Sequence, residues 1–182
     1  MQPIKKFSKS YIILETSGPD SFFIINHGNH SLKYDLDNIN QYKAINVLLK
    51  KHERQLSSLD FIAVGVGPGK FTGTRIGVMI AKTLSYALMT PLISFCSLLV
   101  YVPKETGPFL ICIDARSNEQ FTLSGVVCED TIDHEKPKLI KALKPTSKEV
   151  NTSYITTYVI KKYLNNDFEC PLALDVQYLK NP

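Results

Sequence analysis

The residues that come nearest to chemistry lie in Gly65-Val66-Gly67-Pro68-Gly69-Lys70-Phe71-Thr72-Gly73-Thr74-Arg75-Ile76-Gly77, where glycines that let a backbone approach a ligand sit beside two cations. A phosphate cradle of the G-x-x-x-x-G-K-[ST] kind needs a hydroxyl directly after its lysine to hold magnesium. Here Phe71 follows Lys70, and the run from Gly65 to Gly69 is one residue short. A dinucleotide fingerprint fails as well, because Lys70 stands where a glycine is required and no acidic residue follows a second strand at a suitable distance. What the segment offers is the start of a helix. Thr72 is placed to cap the free amides, with Phe71 and Ile76 spaced for a hydrophobic staple. Lys70 and Arg75 oppose the helix macrodipole there, which calls for an acidic partner or for plain solvation.

Other constellations are weaker. His27-Gly28-Asn29-His30 spans a turn, lacks a third ligand and lacks the helical H-x-x-x-H spacing of a metallopeptidase, so it reads as surface. His52 and His134 are isolated in charged segments, and no G-x-S-x-G elbow presents a nucleophile. Cys96, Cys112, Cys128 and Cys170 form no C-x-x-C pair, which argues against a zinc knuckle and leaves semi-buried thiols in or beside strands, in a reducing cytoplasm. No metal or cofactor is expected. Lys136, Lys138, Lys141, Lys144 and Lys148 make the densest basic stretch, suited to salt-sensitive phosphate contacts or to a solvated face. The net charge of +4 is well short of the stripe that an autonomous nucleic-acid binder carries.

These residues need a scaffold, and 182 residues at 44% apolar composition can build one good-sized domain or two small lobes. The longest apolar runs, Phe61 to Val66 and Leu98 to Val102, are strand-sized, so no membrane span is expected. Tyr11 to Leu14, behind Lys5, Lys6 and Lys9, is too short for a signal peptide. Tyr11–Thr16, Phe22–Asn26 and Ser31–Asp35, separated by turn residues, predict an antiparallel meander. Apolar spacing over 41–55 predicts one amphipathic helix, with Asn38 or Asn40 as N-cap. The run Phe61–Val66 predicts a central strand covered on both faces, and the glycine loop then feeds a helix to about Met89, followed by a strand over Leu92–Phe95. Pro103–Pro108 is the expected boundary between a lobe over 1–104 and a smaller one over 105–182. In the latter, Phe109–Asp114, Gln120–Cys128 and Leu139–Leu143 predict strands, Tyr154–Leu164 a helix, and Val176–Leu179 a closing strand. This order is that of an α/β, ribonuclease-H-like lobe of the actin-like kind with mixed sheets.

On the second helix Gly73, Gly77, Ala81 and Ser85 recur every four residues and make a face almost without side chains, beside a stripe of Ile76, Ile80, Leu84 and Leu88. Such a face invites close approach, either by a partner or by the chain's own sheet.

Gly67-Pro68-Gly69-x-Phe71-Thr72-Gly73-x-Arg75-Ile76-Gly77 resembles the signature of the TsaB (YeaZ) family, and Ile13 to Ser17, Asp114-Ala115-Arg116 and Gln177 to Lys180 resemble other parts of it. The resemblance implies a two-lobed actin-like (ASKHA) fold without catalysis of its own. It also implies binding to the transferase TsaD and, with the ATPase TsaE, support of threonylcarbamoyladenosine synthesis in tRNA, with tRNA met only within the complex. Self-association through the same helices is implied too. The positions that carry over to the interface are Tyr42, Ile45 and Leu49 on the first helix and Gly73, Ile76, Gly77, Ile80 and Ala81 on the second. Glu15 stands where the family has Asp, and the second lobe is shortened between Leu143 and Asn151. An actin-like phosphotransferase and a metal-dependent peptidase are the alternative readings.

Overall fold

A computed structural model describes residues 9–36, 40–128, 131–141 and 149–179. Lys5, Lys6, Asn38, Leu143, Lys144, Lys148 and Lys180 lie outside the described residues.

Strands β1 (Tyr11–Glu15), β2 (Phe22–His27) and β3 (His30–Asp35) form the expected meander. Helix α1 (Gln41–Lys51) follows, with the Asn40 side chain accepting the Lys43 amide at 3.1 Å as its cap. The predicted single helix breaks at His52, which is buried against the Tyr34 hydroxyl at 2.9 Å, and resumes as the short α2 (Glu53–Leu56). Strand β4 (Phe61–Gly65), helix α3 (Phe71–Leu88) and strand β5 (Leu92–Phe95) complete a sheet in the order β3-β2-β1-β4-β5. The meander pairs are antiparallel, while β1–β4 and β4–β5 are parallel, as a ribonuclease-H-like lobe requires. Because β1 and β4 are covered on both faces, their unbroken apolar runs need no alternation. Helix α3 ends where Met89 turns left-handed (φ 50°), with the Thr90 amide donating to Ser85 O.

The second sheet is built on the hairpin β6 (Gly107–Asp114) and β7 (Glu119–Val127); β7 also pairs with β8 (Ile132–His134) and β9 (Lys138–Lys141). Helix α4 (Thr152–Leu164) is capped by Asn151. The apolar run at 98–102 lies largely in a fully buried 3-10 helix, Ser97–Tyr101. Two local expectations differ. Val176–Leu179 forms no strand and instead runs back over the first lobe. Of the cysteines, Cys112 is buried and Cys96 partly so, but Cys128 and Cys170 are exposed.

Ile12, Leu14, Ile62 and Val64 face α1 and α3, meeting Ile45, Leu48, Val78 and Ala81. On the opposite face Tyr11, Ile13 and Phe61 join one continuous core with Phe109, Ile111 and Leu123 of the second sheet and Ile155 and Val159 of α4. The two sheets therefore share a core.

Candidate functional site

The glycine-rich loop between β4 and α3 is held by the turn that ends β1. The Lys70 amide donates to Ser17 O at 2.7 Å, the Gly67 amide donates to the Ser97 hydroxyl at 3.0 Å, and the Ser97 amide returns to Gly67 O at 2.9 Å. Gly67 has φ +97°, a conformation that favours glycine, and precedes a cis peptide bond to Pro68. Gly69 and Gly73 face the backbone oxygens of Ser17 and Thr16, where an added Cβ would come within 2.4 and 2.1 Å. At Gly77 the obstacle is a side chain: a Cβ would fall 2.2 Å from Thr16 Oγ1, which itself donates to Gly73 O at 2.8 Å.

Of the two readings of the small-residue face, the chain's own sheet is the one seen here. Gly73, Gly77, Ala81 and Ser85 are all buried, seated on the chain's own sheet and its β1 turn, and Ile45 lies in the same core. These positions are covered by the chain itself. The residues the helices turn outward are Tyr42 and Val47 on α1, and Met79 and Tyr86 on α3, at 58, 64, 69 and 70% exposure. Ile76, Ile80 and Leu49 lie half-buried between the two faces. Val47, Met79 and Tyr86 were not singled out in the sequence, although alternation around α3 placed Met79 and Tyr86 opposite the glycines.

The helix start also differs from expectation. Lys70, not Thr72, occupies the cap position: its backbone is extended, its carbonyl accepts the Thr74 amide, its amide donates to Ser17 O, and its ammonium has no acceptor with which to make a side-chain cap bond. Thr72 is exposed in the first turn, and Thr74 donates its hydroxyl to Lys70 O at 2.9 Å. Phe71 makes no staple; its ring stacks on Tyr178 with centroids 5.1 Å apart. Among the described residues no acidic group is paired with Arg75. Its guanidinium lies 3.7 Å over the Phe71 ring and its Nε donates to the Tyr178 hydroxyl at 2.6 Å. Aromatic faces thus do the work expected of a carboxylate.

Behind the loop, Glu15 is wholly buried. Its Oε1 accepts the Ser17 amide and hydroxyl at 2.7 and 2.6 Å and the Gly18 amide at 3.2 Å, while Oε2 lies against Gly65 without a hydrogen-bond partner. Burial pushes its carboxyl above the ordinary carboxylate range, against the pull of those donors. Gln41 joins α1 to the same turn, donating to Ser21 Oγ and Thr16 O. Glu15 is a strut for the turn, a role that sequence reading missed; the adjoining Cys96 thiol is likewise raised, to about 11, by burial.

Between the loop, the β1 turn, the β6–β7 turn and residues 177–179 lies a cleft of about 810 Å³. Lys70, Asn40, Asp114, Arg116 and Ser117 line it, together with Thr72 and Gly73 at the start of α3. Glu15 is not in its wall. Elsewhere His27 and His30 face each other in the β2–β3 hairpin, with His27 Nδ1 2.9 Å from Ser10 Oγ. Among the described residues no three His, Cys, Asp or Glu side chains converge as metal ligands, and no helix is long and apolar enough to cross a membrane. In the basic stretch Lys138 pairs with Glu135.

Comparison with known proteins bears on this site. The family model described as "TsaD: tRNA N6-adenosine threonylcarbamoyltransferase" matches residues 38–171. An uncharacterized Mycoplasma genitalium protein is 31% identical over 147 residues, covering 76% of this chain and 74% of that one. The "tRNA threonylcarbamoyladenosine biosynthesis protein TsaB" of Buchnera aphidicola is 37% identical over 71 residues, 36% of this chain and 34% of its own. The first curated relatives, mycobacterial proteins, are matched over only 21 to 31% of their length. Among solved structures, YeaZ from Pseudomonas aeruginosa superposes with a TM-score of 0.77 at 16% identity, over 94% of this chain and all of that chain, which establishes the shared actin-like fold.

Proposed function

The chain belongs to the TsaD/TsaB family of tRNA threonylcarbamoyladenosine biosynthesis, and from that premise we propose that it is a non-catalytic subunit that docks a TsaD-type transferase through the outward face of α1 and α3. The observation that carries this reading is the division of labour on α3. Its small face is used up by the chain's own sheet, while Met79 and Tyr86, with Tyr42 and Val47 of α1, stand in solvent as large apolar groups. Residues 1–104 and 105–182 act as two lobes, of which the first carries the docking face. A TsaE-type ATPase joins the assembly, tRNA is met only within it, self-association uses the same face, and the setting is the cytoplasm.

The non-catalytic reading is supported by Glu15. A carboxylate that positions a metal–nucleotide must reach the cleft, and this one is sealed behind the β1 turn with its donors already engaged. The test is reconstitution of threonylcarbamoyl transfer to tRNA from TsaD- and TsaE-type subunits with and without this chain. Transfer should require it, and Met79→Glu should weaken assembly by more than about tenfold with an unchanged unfolding temperature, since a carboxylate would be desolvated at the centre of the contact. Full-rate transfer without the chain, or wild-type assembly by M79E, contradicts the proposal.

A further inference from the structure

The C-terminal run leaves α4 and is laid back along the first lobe. The Glu169 amide donates to Leu92 O at 2.8 Å, Leu174 is sunk in the helix-side core, and Lys82 Nζ donates to Leu174 O at 2.7 Å. Leu174 is the one buried side chain in this run. Beyond it, Asp175 to Leu179 belongs to no helix or strand, and its fastenings are few: Val176 and Leu179 half-buried against the cores, the Gln177 amide on Val66 O at 2.7 Å, and Tyr178 held by Phe71 and Arg75. Tyr178 remains 38% exposed. The same residues, Gln177, Tyr178 and Leu179, make one wall of the cleft.

A segment outside helices and strands whose side chains beyond one buried anchor are at most half-buried, and which is otherwise held by a few discrete contacts, opens at free energies below global unfolding. Arg75 makes sense in those terms. A cation near the positive end of a helix is unfavourable by itself, and here it is kept in place by two rings, one from the helix and one from the run. We propose that Asp175–Leu179 is a releasable strap, hinged after Leu174 and clasped by Arg75, whose opening removes a wall of the cleft and uncovers Phe71. This does not depend on the partner reading above.

Residue-resolved amide exchange on the full chain tests it, with the Gln177 amide as reporter and the β4 amides as reference. Gln177 should exchange by a sub-global route, faster than β4. Arg75→Ala should speed Gln177 exchange by about tenfold, because a cation–π contact and a hydrogen bond are lost together, while Gln177 continues to exchange faster than β4 and with a weaker urea dependence. Tyr178→Phe, which keeps the stack and loses the hydroxyl, should give a smaller rise. Protection of Gln177 equal to that of β4 with the same urea dependence, or a Gln177 rate unchanged by R75A, would make the run a fixed part of the fold and overturn the proposal.

Discussion

Replacing Gly77 by alanine puts the account of α3 to its sharpest test. Alanine is the better helix former by about 1 kcal/mol, so on an open helix face the change stabilises. At this position the new Cβ would lie 2.2 Å from Thr16 Oγ1, and that hydroxyl cannot swing aside without giving up its bond to Gly73 O. Overpacking of this kind costs about 1 to 3 kcal/mol, and the lost hydrogen bond about 0.5 to 1.5 kcal/mol more. After the propensity gain the expected result is a net loss of about 1 to 3 kcal/mol, read as a lowered urea midpoint with an unchanged slope. The double-mutant cycle isolates the cause. Thr16→Ala removes Oγ1, and the next atom is 3.4 Å away, an ordinary contact. In that background Gly77→Ala should be neutral or stabilising, a coupling of about 1 to 3 kcal/mol. Gly73→Ala is the control, because its obstacle is the Thr16 backbone oxygen at 2.1 Å, so Thr16→Ala should not rescue it. If Gly77→Ala is harmless in the wild-type background, or equally costly in both, the proposed packing of α3 on the β1 turn is wrong.

Two pH effects follow from buried groups. Burial raises the Glu15 pKa, so the folded chain holds its proton more tightly than the unfolded one, and Glu15's contribution falls as pH rises from the unfolded value of about 4.3 through the folded one. Glu15→Gln should therefore be the more stable protein at about pH 8, with the advantage shrinking toward about pH 4; a gap in thermal midpoint that stays constant across that range would refute it. His52 has the opposite sign, its pKa being lowered by burial and then by Lys51. Its contribution is complete above the unfolded value of about 6.5 and is lost as pH falls through the folded one, so His52→Gln should flatten the urea midpoint against pH in that window, and an unchanged profile would count against it.

Local periodicity was enough to place most of the elements. The alternation and turn residues of the opening meander, the both-faces apolar run at β4 and the 3.6-residue spacing of α1, α3 and α4 are properties of neighbouring residues, and each recurs in the structure near its predicted place, apart from the break at His52 that ends α1 early. The signature loop was legible for the same reason, since its glycines are contiguous. What the sequence left open was who approaches whom. A row of small residues says that something comes close to α3, and a partner or the chain's own turn would leave the same pattern. The answer is Thr16, 57 residues upstream of Gly73. Arg75 likewise signalled a need for compensation, and the compensating group, Tyr178, lies 103 residues downstream. The helix start fell at Lys70, which the β1 turn holds by its amide while its carbonyl accepts the first helical bond, and 176–179 formed no strand, its amide and ring contacts going singly to Val66 and Arg75. Contacts between residues so far apart in the chain are chosen by how the sheet and helices pack as a whole, and that competition is settled only in three dimensions.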